Sequence, residues 1–140
     1  MNSSCDNFDI VDHFEDLYRA VLPLPDFWHN DDYTVSSGAL IDKRGLSTDR
    51  SYTRSEEECV SFLDSCKSRK GGVISFQVCN CLNLDIHTIY APVDASENTP
   101  ANPYHTVVVR SPHVFKLSDA QAHKLAKQLK IIRWGLFSDY

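Results

Sequence analysis

Three short segments place polar side chains where packing alone does not call for them. The first is Asn102-Pro103-Tyr104-His105, which enters the apolar run Thr106-Val107-Val108-Val109. Pro103 fixes the backbone there and pushes Asn102 toward extended geometry. A histidine at the mouth of a strand, after a long loop, is placed to act as acid, base or ligand. The second is Gly45-Leu46-Ser47-Thr48-Asp49-Arg50, with a hydroxyl pair, an acid and a guanidinium in succession. If this stretch is extended, Ser47 and Asp49 face one way, and Thr48 and Arg50 the other. The third is Arg19, set between apolar residues in Leu17-Tyr18-Arg19-Ala20-Val21-Leu22. A guanidinium offers five fixed donors to a carboxylate or phosphate. His105 and Ser47 are therefore the candidate catalytic pair, and Arg19, Arg50 and Asn102 the candidate ligand-binding groups. His87 lies on the neighbouring predicted strand and would make a two-histidine site if the registers agreed. Each segment also has a plainer reading: a surface arginine, a Ser/Asp-stabilised turn, a structural histidine.

The elements that must position these groups are partly legible. Ser55 with Glu58, and Ser118 with Gln121, are capping boxes that open two helices. In the first helix Cys59, Phe62, Leu63 and Cys66 recur at i, i+3, i+4 and i+7. Lys67, Arg69, Lys70 and then Gly71-Gly72 are its stop signals. The second should turn Ala122, Leu125, Leu129 and Ile132 inward and present Lys124, Lys127, Lys130 and Arg133 as a solvated basic face. Val73–Cys79, Ile86–Tyr90 and His105–Arg110 read as strands. Asn80–Asn83 is a short break and 94–103 a loop. Upstream, 9–15 suits a short helix, Leu17–Leu22 fits the end of that helix or a strand, and 26–34 reads as a surface loop. Val35–Ile41 is ambiguous, and Leu46–Arg50 reads as a short strand. Trp134 and Phe137 suggest a C-terminal end docked on the body. The expectation is one α+β domain over 9–140 after a loose tail at 1–8. Its mixed or antiparallel sheet would have three to five strands, with two or three packed helices.

Composition narrows the classes. The 140 residues have ordinary apolar and charged content, so a packed core is affordable without staples. No apolar run reaches spanning length, and the N-terminus lacks a signal-peptide pattern, so the expectation is a cytoplasmic protein with no membrane partner. The five cysteines read as reduced thiols, and Cys79-x-Cys81 is too tight for a zinc knuckle. No metal and no cofactor are expected, although His87, His105 and Cys79 or Cys81 make a thin metal-site alternative. Phosphate loops, dinucleotide fingerprints and nucleophile elbows are missing. The formal net charge of −5 disfavours nucleic acid as a partner. That charge is uneven: residues 1–32 hold eight acids against Arg19, and 104–140 hold six basic residues against two acids. Such ends attract each other or meet a protein partner of opposite charge.

The runs LYRAV, SSGALI, RGLSTDR and NPYHTVVV, with the lysine-rich helix behind them, resemble a family of small uncharacterised bacterial proteins. The resemblance spans roughly Leu17 to Leu129, with departures at Gly38 and Thr48. It implies no activity, but it adds Ser36 and Ser37 to Arg19, Ser47, Arg50, Asn102 and His105 as the pattern's polar positions. Two functions follow from these readings. The preferred one is a small bacterial interaction or accessory protein, linked to a toxin or defence system and binding a protein partner. The alternative is a nucleotide-, NAD- or RNA-directed enzyme or toxin-like domain with a small anionic ligand, using the Arg/Ser/His site.

Overall fold

The computed structural model describes residues 12–66 and 71–136. The expected tail at 1–8, the helix stop at 67–70 and Phe137 lie outside the described residues. The fold is α+β, as expected, but the sheet is larger. Six antiparallel strands run in the order β6-β7-β4-β1-β5-β8, and a separate hairpin pairs β2 with β3. Here β1 is Asp16–Val21, β2 Trp28–His29, β3 Thr34–Val35, β4 Leu46–Arg50, β5 Gly72–Gln77, β6 His87–Tyr90, β7 His105–Val109 and β8 Lys130–Arg133. Among the described residues three α-helices accompany them: α1 (Glu56–Cys66), α2 (Val78–Leu82) and α3 (Asp119–Ala126). A single 3-10 turn covers Ser37–Leu40.

Strand alternation sorts the sheet into two faces. On one face Leu17, Leu46, Ile74, Phe76 and Val108 pack with Leu40, Ala122, Leu125 and Trp28. On the other, α1 lays Cys59 and Leu63 over Tyr18 and Val73. The helix therefore covers the β1–β5 side of that face. Two ion pairs hold it there: Arg133 bonds both Asp64 carboxylate oxygens at 2.9 Å, and Lys130 reaches Glu56 at 3.4 Å. The basic end thus meets the acids of α1. Both capping boxes form: Ser55 Oγ accepts from Glu58 N at 3.1 Å and Ser118 Oγ from Gln121 N at 3.1 Å.

Several elements depart from expectation. Residues 12–15 form a turn that leads into β1, so the described part of 9–15 is not helical. Leu17–Val21 is an interior strand, because both of its sides find pairing partners. The stretch 26–34 contains a hairpin whose Trp28 is 2% exposed and donates its indole N–H to the Leu22 carbonyl. Helix α3 stops at Ala126, and Lys130–Arg133 leaves it to pair with the edge of β5. The β-branched pair Ile131-Ile132 fits that edge, and the expected single basic helix face does not exist. Val78 and Cys79 belong to α2 rather than to the strand before it. Trp134 does dock, edge-on to Trp28 with ring centres 4.8 Å apart.

Candidate active site

The site is built along one face of β4. Gly45 precedes it with φ +85°, and a Cβ there would lie 2.8 Å from the side chains of Val107 and Val109. Only glycine turns the chain that close to β7. From Leu46 onward β4 pairs with β7, Leu46 opposite Val108, Ser47 opposite Val107 and Asp49 opposite His105. Ser47, Asp49 and His105 consequently share the face that α1 leaves uncovered on this side, while Thr48 and Arg50 point to the other face.

Ser47 and His105 are diagonal neighbours across the β4–β7 pair. Ser47 Oγ lies 2.7 Å from His105 Nε2. The other ring nitrogen, Nδ1, lies 2.8 Å from the Ala91 carbonyl oxygen. A carbonyl can only accept, so Nδ1 carries the proton and donates it. That leaves Nε2 of the neutral ring as an acceptor, and the serine hydroxyl donates to it. The serine is exposed and the imidazole half-buried. This is the geometry of an activated nucleophile: hydroxyl, base, and a third group that holds the base in one tautomer.

Behind the serine the sheet opens. The β1–β4 ladder pairs Leu17 with Arg50 and Tyr18 with Asp49, and goes no further. β1 continues beside β5 to Val21, and β4 begins beside β7 at Leu46. The two strands part, and Arg19 braces the gap. Its Nη1 donates to the Ser47 carbonyl at 3.1 Å and its Nε to the Ala39 carbonyl at 3.3 Å. The remaining guanidinium N–H groups have no partner among the described residues. Burial pulls the Arg19 pKa down, and Asp42 works the other way. A guanidinium still stays charged at any ordinary pH.

The opening forms a cleft of about 70 Å³, walled by Arg19, Ser47, Asp49, Asn102 and, from α1, Leu63 and Cys66. Asp49 is 3% exposed. Its Oδ1 accepts from Asn102 Nδ2 at 2.9 Å, while Asn102 Oδ1 accepts the Tyr104 N–H at 2.9 Å. Asn102 thereby ties the loop end to β4, three residues ahead of His105. Asp49 Oδ2 is the one buried side-chain polar atom among the described residues that has no hydrogen-bond partner.

Four expected site residues lie elsewhere. Arg50 points to the opposite face and is held by Glu15, Nε to Oε2 at 2.8 Å and Nη2 to Oε1 at 2.9 Å. That hydrogen-bonded carboxylate raises the Arg50 pKa. Its guanidinium also lies over the rings of Tyr52 and Tyr90. The expectation that it grips a ligand is corrected by these commitments. His87 pairs with Val109, while the main chain at His105 meets Ala91 at the far end of the same two strands. About 3.3 Å per residue keeps the two imidazoles apart, so no two-histidine site forms. Among the described residues no three His, Cys, Asp or Glu side chains are grouped to hold a metal ion. Cys81 is buried, and burial pushes its thiol pKa up to about 12. Ser36 caps the 3-10 turn, its Oγ accepting from Gly38 N at 3.1 Å. With Ser37 it lines a separate groove of about 620 Å³ against α3, where His29, Tyr33, His123 and Lys127 are solvent-exposed. That groove is larger than the cleft, but it contains no unpartnered buried group and no nucleophile–base pair.

Three contributors were missed. Asp49 stands inside the segment that drew attention, on the same predicted face as Ser47, so strand alternation could have found it. Cys66 is carried in by α1, and the Ala91 carbonyl by the turn after β6, neither with a local signal. No helix of the described residues is long and apolar enough to cross a membrane. No protein-family model matches the chain, and neither curated proteins nor solved structures include a significant match.

Proposed function

We propose that this protein is a small serine-dependent hydrolase or acyl-transfer enzyme. Ser47 is the nucleophile and His105 the general base. The observation that carries the reading is the 2.7 Å contact between Ser47 Oγ and His105 Nε2, with Nδ1 pinned to the Ala91 carbonyl. As Ser47 Oγ bonds to an acyl carbon, its proton passes to Nε2. The imidazolium that results is held in place by its Nδ1–H bond to the Ala91 carbonyl. The tetrahedral intermediate then collapses, and the bond from the acyl carbon to the leaving group breaks. The same Nε2 proton then goes to the leaving group, and water reverses the steps.

The scale of the cleft points to a small ester or thioester, or to the tip of a larger one, rather than to nucleic acid. The described cysteines are free thiols, which suits a reducing cytosol. A partner-protein role draws on Val114 and Phe115, adjacent and half-exposed in the loop after β7. That loop holds no chemistry, so it supports docking at most.

The test is labelling with a fluorophosphonate probe, read by intact mass and peptide mapping. Ser47 should be modified far faster than the exposed Ser61, and Ser47→Ala should abolish the fast adduct. A label spread evenly over surface serines would end the proposal.

A further inference from the structure

We infer that the cleft between β4 and α1 is a subsite for a primary ammonium group, held by Asp49. As the recognition of a substrate amine beside the scissile bond, this rests on the hydrolase reading; as a binding site, it does not.

The argument starts from Oδ2 of Asp49. A carboxylate buried to this degree is costly unless its oxygens are bonded. Oδ1 has Asn102, and Oδ2 has nothing. None of the neighbouring donors reaches Oδ2. The Asn102 amide gives one N–H to Oδ1, and its oxygen is held by Tyr104 N. The Thr48 hydroxyl donates to the Thr106 carbonyl. The Ser47 hydroxyl goes to His105. Arg19 is tied to two carbonyls from the opposite face of the sheet, and Arg50 to Glu15. Cys66 brings only a thiol, a weak donor. The walls thus leave one bare anionic acceptor in an enclosed space.

Size and chemistry select the occupant. About 70 Å³ corresponds to little more than two waters at ~30 Å³ each. That space takes an ammonium with a carbon or two behind it. A metal ion would need further ligands, and among the described residues no such group exists. A primary ammonium brings three donors and the missing counter-charge. Leu63 offers an apolar wall for the carbon that carries it.

The experiment uses thermal melts of the full chain in methylammonium chloride, tetramethylammonium chloride and sodium chloride at equal ionic strength. Methylammonium should raise the melting temperature by several degrees above both controls, since only the folded state binds it. Asp49→Asn should erase that gain. Cys66→Leu, which fills the cleft from α1 without altering the carboxylate, should erase it as well, and keeps the test alive if Asp49→Asn folds poorly. Nα-acetyl-lysine methylamide separates sources: a gain with it too means that a lysyl side chain is accepted, and a gain with methylammonium alone means a small free amine. Identical melts in the three salts, or a gain that survives in Cys66→Leu, would overturn the inference. Ser47→Ala should keep the ammonium gain while losing the probe adduct. A parent chain that shows the ammonium gain but no selective labelling of Ser47 would therefore sink the hydrolase and leave the subsite.

Discussion

The two faces of β4 carry polar side chains and treat them in opposite ways. On one face Arg50 meets both oxygens of Glu15, and Glu15 also accepts the Tyr52 main-chain N–H at 2.8 Å. The side chains of this pair are 13% and 6% exposed. On the other face a carboxylate, a hydroxyl and an imidazole are gathered just as closely. There Asp49 keeps a spare acceptor, and Ser47 is open to solvent. The presence of a carboxylate does not distinguish the faces. Saturation does: a buried ionic group with every partner in place holds the fold together, and one left short of partners is available to something else.

The comparison can be broken on either face. The largest effect should come from His105→Ala. Losing a positioned general base should slow probe labelling of Ser47 by about 10²–10⁴-fold. The same change should cost only about 1–2 kcal/mol of stability, since it removes the hydrogen bonds to Ser47 and to the Ala91 carbonyl. Equal labelling of His105→Ala and the parent would show the open face to be as structural as the closed one. Glu15→Ala should do the reverse. It strands a buried guanidinium, and urea unfolding should report a loss of about 3–5 kcal/mol. Labelling per folded molecule should stay at the parent rate.

Alkaline titration sharpens the contrast from the covered face. Burial beneath α1 pushes the Tyr18 phenol up to about 12, with Asp16 adding to the shift. Unfolded tyrosine ionises near 10. Between those values the unfolded chain releases a proton that the folded chain keeps, so stability is complete below pH 10 and falls as pH rises toward 12. Tyr18→Phe should flatten that fall, which far-ultraviolet dichroism in denaturant at stepped pH would record. The smallest effect belongs to Lys130→Ala. Its partner Glu56 is exposed, so the change should stay within about 1 kcal/mol in the same unfolding assay.

How much of this was legible depends on whether the signal was local. Ser55 and Ser118 announce their helices because a capping box closes within four residues. The faces of β4 follow from alternation alone, which separates Ser47 and Asp49 from Thr48 and Arg50, but the β4–β7 pairing that brings Ser47 to His105 has no local signal. Lys130–Arg133 misleads because its apolar spacing continues the helical pattern of α3, and only the edge of β5 decides otherwise. Arg50 misleads for a related reason. The acid that occupies it stands 35 positions earlier, at Glu15. The parting of β1 from β4 has no local trace, because it depends on how far two ladders extend, and the cleft depends on that parting.

One feature bears on genetics. The group that orients His105 is the main-chain oxygen of residue 91, part of the amide bond to Pro92. Every amino acid placed at 91 would supply the same oxygen. A tally of tolerated codons would score that position as neutral, although the oxygen that fixes the His105 tautomer is located there. Loss-of-function alleles that act through it should instead alter the path of the chain around 91–93, by insertion, deletion or replacement of Pro92.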